Sequence, residues 1–179
     1  MFRVIKGPVI VVFGLLIFIT LMSLLIPSQI VTIRSVVVRD TPAHILAQVA
    51  DLRNWQNWHP ALKDNPVLFK AADTGGAVGS SLSWTANNKP IELVVDEVSD
   101  RYVVVRLHQK NENDVKNIIA VNDVQEINAY QVQWTAVIKL KWYPWEKFAG
   151  IFIEKMTGSG YQLTLESLKN YLENTNSES

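Results

Sequence analysis

The sequence predicts an α+β fold: a curved antiparallel sheet of about six strands around one long C-terminal helix, preceded by one N-terminal transmembrane helix. Three observations predict it. Residues 9–26 carry no charge, alternating β-type segments fill the middle of the chain, and apolar residues recur at helical spacing after residue 143. A sheet and a helix with one apolar face each bury those faces on each other, which places both in one domain.

The N-terminal run VIVVFGLLIFITLMSLLI, residues 9–26, is typical of a membrane-spanning helix. Its 18 residues would span about 27 Å as a helix, close to the thickness of the hydrocarbon layer. We therefore expect residues 1–27 to form an anchor with a transmembrane helix at about 8–26. The alternatives are a cleaved signal peptide and a buried core helix. The run lacks a small-x-small cleavage site and is apolar on all sides, which disfavours both.

The basic residues on either side of this run indicate an orientation. Arg3 and Lys6 precede it, whereas the first basic residue on the far side is Arg34. The positive-inside rule then places the N-terminus in the cytoplasm. We expect a single-pass protein of a bacterial inner membrane, with its C-terminal domain periplasmic or otherwise extracytoplasmic.

Residues 28–175 are predicted to form one domain, and residues 176–179 a polar tail. Residues 30–38 are rich in β-branched residues and predict the first strand. Thr41 is a suitable N-cap and Pro42 a suitable first residue for a helix that follows. Asn54 is expected to cap a second short helix, which carries Trp55 and Trp58.

Five further strands are predicted at residues 78–86, 91–98, 102–108, 115–127 and 130–141. The last has the cleanest alternation of the chain and one buried face, which includes Trp134. Trp84 lies on the inward face of its strand. Glu97 has the parity of Leu93 and Val95, so it is either a half-buried carboxylate or a residue at the strand end in water.

The closing helix is predicted to begin at Pro144, with Glu146 in its first turn. Phe148, Ile151 and Phe152 share one of its faces. Residues 158–160 (GSG) predict a kink or weak point there, without a reversal of the chain.

Composition excludes several classes of protein. The 179 residues include 17 basic and 17 acidic side chains, so the net charge is zero, which argues against nucleic-acid binding. Apolar residues form 48% of the chain and charged residues 19%, which excludes extensive disorder. Because cysteine is absent, disulfides, cysteine metal sites and cysteine nucleophiles are excluded.

Three segments carry a resemblance to a known family: residues 51–60 (DLRNWQNWHP), residues 75–79 (GGAVG) followed by 82–84 (LSW), and residues 152–156 (FIEKM). With the order of the strands, they resemble the START-like superfamily, and within it the polyketide cyclase/dehydrase (SRPBCC) group in a bacterial membrane-anchored form. The resemblance covers about residues 28–173. It implies a helix-grip fold with a deep cavity between sheet and long helix for lipids, polyketides or other apolar ligands. It implies no common catalytic residue.

Catalytic patterns are weak in this sequence. His59 and Glu97 are the candidates for acid/base chemistry, while His44 is expected at the surface and His108 at a strand end. No histidine has the spacing of a metal site, and Ser80 lies outside a nucleophile elbow. We expect no metal and no cofactor.

Two groups of aromatic residues are candidate contact sites. The first is expected to line the ligand cavity and comprises Trp58, His59, Trp84, Trp134 and Phe152. For Trp84 and Trp134 the alternative is packing in the core. The second is expected to contact the membrane and comprises Trp142, Tyr143 and Trp145, with Lys139, Lys141 and Lys147 adding attraction to anionic lipid. For the second group, the alternative is that these residues are simply the aromatic end of a strand and start of a helix, without contact to a membrane.

The sequence therefore favours a membrane-tethered, non-enzymatic domain that binds an apolar small molecule or lipid. An enzyme of the cyclase or dehydratase type, which would use His59 or Glu97 as acid or base, is the first alternative. A structural or interaction module of the cell envelope is the second. The sequence assigns neither a ligand, nor protein partners, nor an oligomeric state.

Overall fold

A computed structural model describes residues 2–63, 65–72, 77–124 and 129–177, with side chains from residue 8 onward except those of 154–156 and 176–177. The two glycines at the start of the motif at residues 75–79 lie outside these ranges, as does the predicted end of the fifth strand at residue 127. The first element is the helix α1, Phe2–Leu24. The structure does not show the predicted transmembrane helix at residues 8–26: over the residues described, no helix is long and apolar enough to cross a membrane.

Within the described ranges, seven strands form one antiparallel sheet in the order β1-β7-β6-β5-β4-β3-β2. The sequence predicted about six, because β2 has only three residues and is too short for a period of two to be recognised. The strands are β1 (Gln29–Val38), β2 (Leu68–Lys70), β3 (Ser81–Ala86), β4 (Lys89–Val98), β5 (Tyr102–Gln109), β6 (Val115–Val124) and β7 (Ala129–Lys139).

The strand β7 confirms the predicted alternation. Val132, Trp134 and Ala136 are buried, while the residues between them are half-buried. The strand pairs with β1 so that Trp134 stands opposite Arg34. By contrast, β3 begins at Ser81 and not at residue 78, because Gly79 adopts a positive φ of 88° in a turn before the strand.

Short helices connect β1 to β2. They are α2 (Pro42–Ala50), a 3₁₀ turn (Leu52–Asn54), α3 (Trp55–Trp58) and α4 (Pro60–Lys63). The predicted cap of α2 is confirmed, since the Thr41 hydroxyl accepts a hydrogen bond from the backbone N–H of His44 at 3.3 Å. The predicted cap of α3 is wrong. Asn54 makes no capping bond, because its side-chain amide instead donates to the Ala47 carbonyl at 3.3 Å.

The long helix α5, Pro144–Ser177, is continuous through Gly158 and Gly160, so the chain does not reverse there, as predicted. It lies along β1. Among the side chains of α5 that the structure describes, those fully buried in the core lie in its C-terminal half: Leu165, Leu168 and Leu172. This half closes the concave side of the sheet together with α2 and α3.

The N-terminal half of α5 departs from the prediction that its apolar stripe is buried. Phe148, Ile151 and Phe152 are 37%, 58% and 64% exposed. The reason is geometric: this half of the helix packs beside the end of α1 and the edge strand β1, so the concave face of the sheet does not reach it.

Candidate functional site

The centre of the domain is a cluster of aromatic rings that joins α3, β7 and α5. Trp55 lies 4.9 Å from Trp58 and 5.7 Å from Trp134 between ring centroids. Tyr161 of α5 packs on the other side of Trp134 at 5.5 Å. The fold thus brings together three of the predicted cavity residues, namely Trp58, His59 and Trp134.

His59 is embedded in this cluster. Its imidazole stacks on Trp55 at 5.5 Å with an interplanar angle of 12°. Burial lowers the pKa of His59 to about 4, so the ring is neutral at pH 7. Its Nδ1 accepts a hydrogen bond from the Ala61 N–H at 3.3 Å, which places the ring proton on Nε2. A neutral, weakly basic imidazole is poorly suited to general acid catalysis at neutral pH.

The indole of Trp134 forms a hydrogen bond with a polar side chain that the sequence did not predict. Its indole N–H donates to the Asn117 side-chain oxygen at 2.9 Å, and Asn117 is only 2% exposed. The parity of Asn117 within β6, shared with the buried Ile119 and Val121, was the signal that could have placed it inside. A buried polar side chain requires such a partner.

Two other indoles present unused donors to the interior. The Nε1 atoms of Trp58 and Trp84 are buried and have no acceptor among the described residues. Trp58 is 1% and Trp84 7% exposed, so neither donor reaches bulk water. A buried donor without an acceptor is costly, and a ligand with an oxygen atom could supply one.

Two predicted site residues lie elsewhere. Phe152 is 64% exposed on α5 and does not line an enclosed cavity. Glu97 is exposed at the end of β4, where it accepts a hydrogen bond from the Tyr102 hydroxyl at 2.5 Å. A bulge between Val95 and Glu97 shifts the register of the strand, so the parity argument fails after Val95.

The remaining histidines pair with carboxylates near the surface. His44 Nδ1 lies 2.6 Å from Asp40, and His108 Nδ1 lies 2.7 Å from Asp114. His108 is exposed near the end of β5, which agrees with its predicted position at a strand end. Over the part of the chain that the structure describes, no group of three or more His, Cys, Asp or Glu could hold a metal ion.

A cavity of about 530 Å³ lies between the end of α2, the 3₁₀ turn, the strand β2 and the segment just before β3. Its apolar wall includes Leu52, Phe69 and several alanines, and its polar groups include Arg53 and Ser80. Arg53 lies over the ring of Phe69 at 5.5 Å. Arg53 was recognised in the sequence only as part of the motif at residues 51–60, because its contact with the cavity wall, through Phe69, comes from β2.

Arg53 is fixed by Asp51. The guanidinium donates to both carboxylate oxygens of Asp51, at distances from 2.5 to 3.0 Å. These hydrogen bonds hold the pKa of Asp51 below its ordinary value. The pair is largely solvent-facing, so it marks the polar rim of the cavity.

The predicted membrane-contact aromatics form a separate exposed group. Trp142 and Trp145 are 73% and 70% exposed. Tyr143 lies between them and stacks on Trp145 at 5.1 Å and 3°. Lys147 was expected beside them at the surface, but it is 6% exposed, since its ammonium donates to the Ile26 carbonyl at 3.1 Å.

The chain is similar to a known protein family and to several solved structures. A family model described as polyketide cyclase / dehydrase and lipid transport matches residues 30–173. A START superfamily protein from Mycobacterium smegmatis superposes with a TM-score of 0.62 at 13% identity, over 81% of this chain and 98% of that chain. No curated protein sequence matches the chain.

Two further solved structures have the same fold. A protein of unknown function from Staphylococcus aureus gives a TM-score of 0.65 at 12% identity, over 83% of this chain and 96% of that chain. The Aha1 dimer from Colwellia psychrerythraea gives 0.54 at 16% identity, over 80% and 96%. At these identities the likeness shows the fold alone.

Proposed function

Because the chain belongs to the polyketide cyclase / dehydrase and lipid transport family through residues 30–173, we propose that its START-like domain binds an apolar small molecule or lipid without catalysing a reaction. The cavity of about 530 Å³ carries this proposal. Its volume falls within the range of roughly 300–1,000 Å³ typical of small-molecule sites, and its walls combine apolar side chains with few polar groups.

We propose that the site extends from the cavity into the core, towards the predicted cavity residues. Leu52 belongs both to the cavity wall and to the core that contains Trp58 and Trp84. A ligand that displaces Leu52 would meet the two buried indole donors. We therefore propose that an apolar body enters past Leu52, with a polar end near Arg53.

The arrangement of titratable groups supports binding over catalysis. His59 is neutral and packed between rings, while Glu97 is exposed at a strand end. The two candidates for acid/base chemistry therefore do not converge on one reacting atom, which general acid–base catalysis requires.

The proposal includes a membrane anchor at α1. Residues 9–26 are uncharged, and α1 and the residues after it expose large apolar side chains, among them Ile10 at 70% and Leu25 at 77%. Such a surface is unfavourable in water and favourable in lipid. Arg3 and Lys6 would lie on the cytoplasmic side, and the domain on the other, where Trp142, Tyr143 and Trp145 would contact the headgroup layer.

Cavity-filling variants test the ligand site. The full chain is extracted in neutral detergent, and molecules that co-purify are identified by mass spectrometry. Ala50→Phe fills the cavity wall and should reduce the retained apolar ligand at least about tenfold. Ala43→Phe, on an exposed position of α2, is the matched control and should retain it. Equal retention by both variants would reject this cavity as the site.

Membrane washing and a reporter test the anchor. The full chain should stay in the membrane fraction after a high-salt wash, and a reporter fused after Ser179 should be active outside the cytoplasm. Release by salt, or a mature N-terminus near Ser28, would reject the anchor. In a chain without residues 1–27, residual binding to liposomes should fall with Trp142→Ser and Trp145→Ser.

A structural or interaction module of the envelope is the second candidate. The tight packing of Trp55, Trp58, His59 and Trp134 favours it, because side chains fill the centre that a deep cavity would occupy. The mass spectrometry separates the two candidates. An extracted protein that carries no apolar molecule in stoichiometric amount, and takes up no apolar dye, would support the module.

A further inference from the structure

A second cavity, of about 260 Å³, lies where the end of α1 meets the first strand and α5. Its walls are mostly apolar, with Ile26, Pro27, Ile30, Leu140 and Ile151 among them, and its polar side chains are Gln29 and the cation Lys147. The volume is below the usual range of about 300–1,000 Å³ for sites that enclose a drug-sized ligand. It is therefore better suited to a compact group than to a whole lipid.

Lys147 gives this cavity its chemistry. The side chain is 6% exposed, and its ammonium donates to the Ile26 carbonyl at 3.1 Å. An ammonium has three donor hydrogens, and Lys147 forms no ion pair with any carboxylate whose side chain the structure describes. A buried cation without a counter-ion is costly, so the site favours an anion.

The carboxylate nearest in sequence is engaged elsewhere. Glu146 accepts hydrogen bonds from the Asn113 side chain and from the Lys141 backbone N–H. Among the described residues that line the cavity, none is acidic. An anion bound at Lys147 would therefore meet no like charge from the wall.

Gly150 brings Lys147 within reach of α1. A Cβ at this position would lie 2.6 Å from Leu140 Cδ1 and 3.1 Å from Ile30 Cδ1. Glycine therefore allows α5 to approach the edge of the sheet closely, and Lys147, one turn earlier on the same face, then reaches the end of α1.

We propose that this cavity binds the phosphate of an anionic bilayer lipid, with the ammonium of Lys147 as its cationic contact. The inference rests on the proposed membrane anchor. The cavity follows directly on α1, and its wall includes Ile151 of α5, which is 58% exposed. Since the net charge is zero, selectivity for an anionic lipid must come from a local site and not from the charge of the whole chain.

Lipid titrations of the full chain in neutral detergent test the proposal. Native mass spectrometry counts bound dioctanoyl phosphatidylglycerol, with dioctanoyl phosphatidylcholine and inorganic phosphate as the other arms. Wild type should retain phosphatidylglycerol selectively. Lys147→Met, which keeps an unbranched side chain and removes the charge, should weaken this binding about tenfold or more, as expected for the loss of a charge-assisted hydrogen bond.

Two controls make the result decisive. Lys63→Met removes the same charge from an exposed position at the end of α4 and should change the affinity less than about twofold, as an exposed charge does. Lys147→Gln keeps a donor for the Ile26 carbonyl and should show the same loss as Lys147→Met, with circular dichroism confirming that it is folded. Equal losses at Lys63 and Lys147, or displacement of the lipid by millimolar inorganic phosphate, would overturn the proposal. Retention of the Lys147 variants in salt-washed membranes shows separately that the anchor is intact.

Discussion

Trp134 offers the sharpest test of the packing around the site. The side chain is 3% exposed, contacts four rings, and donates to Asn117 at 2.9 Å. Replacing Trp134 by alanine removes a ring of the kind whose truncation costs about 3–5 kcal/mol. The Asn117 oxygen then loses its donor in a buried setting, which adds about 1–3 kcal/mol.

We therefore expect Trp134→Ala to lower the free energy of unfolding by about 5 kcal/mol, at the lower limit of the roughly 5–15 kcal/mol that stabilises a typical domain. Trp134→Phe keeps most of the ring packing but loses the hydrogen bond, and should cost about 2 kcal/mol. In a double-mutant cycle, Trp134→Phe and Asn117→Ala should be non-additive by about 1 kcal/mol.

Urea unfolding of the full chain in neutral detergent, followed by far-ultraviolet circular dichroism, measures these differences. Trp142→Ala is the matched control, because the same residue type is 73% exposed there; it should change the free energy of unfolding by no more than about 0.5 kcal/mol. If Trp134→Ala and Trp142→Ala have the same effect, the aromatic cluster does not stabilise the domain and the reasoning is refuted.

Two other predictions concern His59 and Gly150. Burial lowers the pKa of His59 from 6.5 to about 4, so protonation of this ring favours the unfolded chain. The free energy of unfolding should therefore fall by roughly 3 kcal/mol as the pH drops from about 6.5 to 4. His59→Gln should flatten this part of the pH profile, and an unchanged slope would contradict the assignment. Gly150→Ala places a Cβ 2.6 Å from Leu140 Cδ1 and should cost about 1–3 kcal/mol in the same urea assay, whereas Gly160→Ala, with open space around it, should be neutral or slightly stabilising.

Local sequence patterns predicted the elements correctly where each pattern is itself local. The alternation around Trp134 fixes which face of β7 is buried, because side chains of a strand point to opposite sides in turn. Thr41 and Pro42 define the start of α2 for the same reason, since a cap acts within one helical turn. With the motif at residues 51–60, these patterns were sufficient to indicate the family.

The tertiary structure decided the features that depend on partners distant in the chain. The bulge before Glu97 reverses its orientation, the short strand β2 exists only through its pairing with β3, and Phe152 is exposed because the sheet does not extend beneath it. Lys147 shows the principle most clearly. Its sequence neighbours include the exposed aromatic residues Trp145 and Phe148, yet a carbonyl 121 positions earlier in the chain holds it in the interior. Periodicity describes the faces of one element, whereas burial and charge pairing are set by whichever element packs against that face.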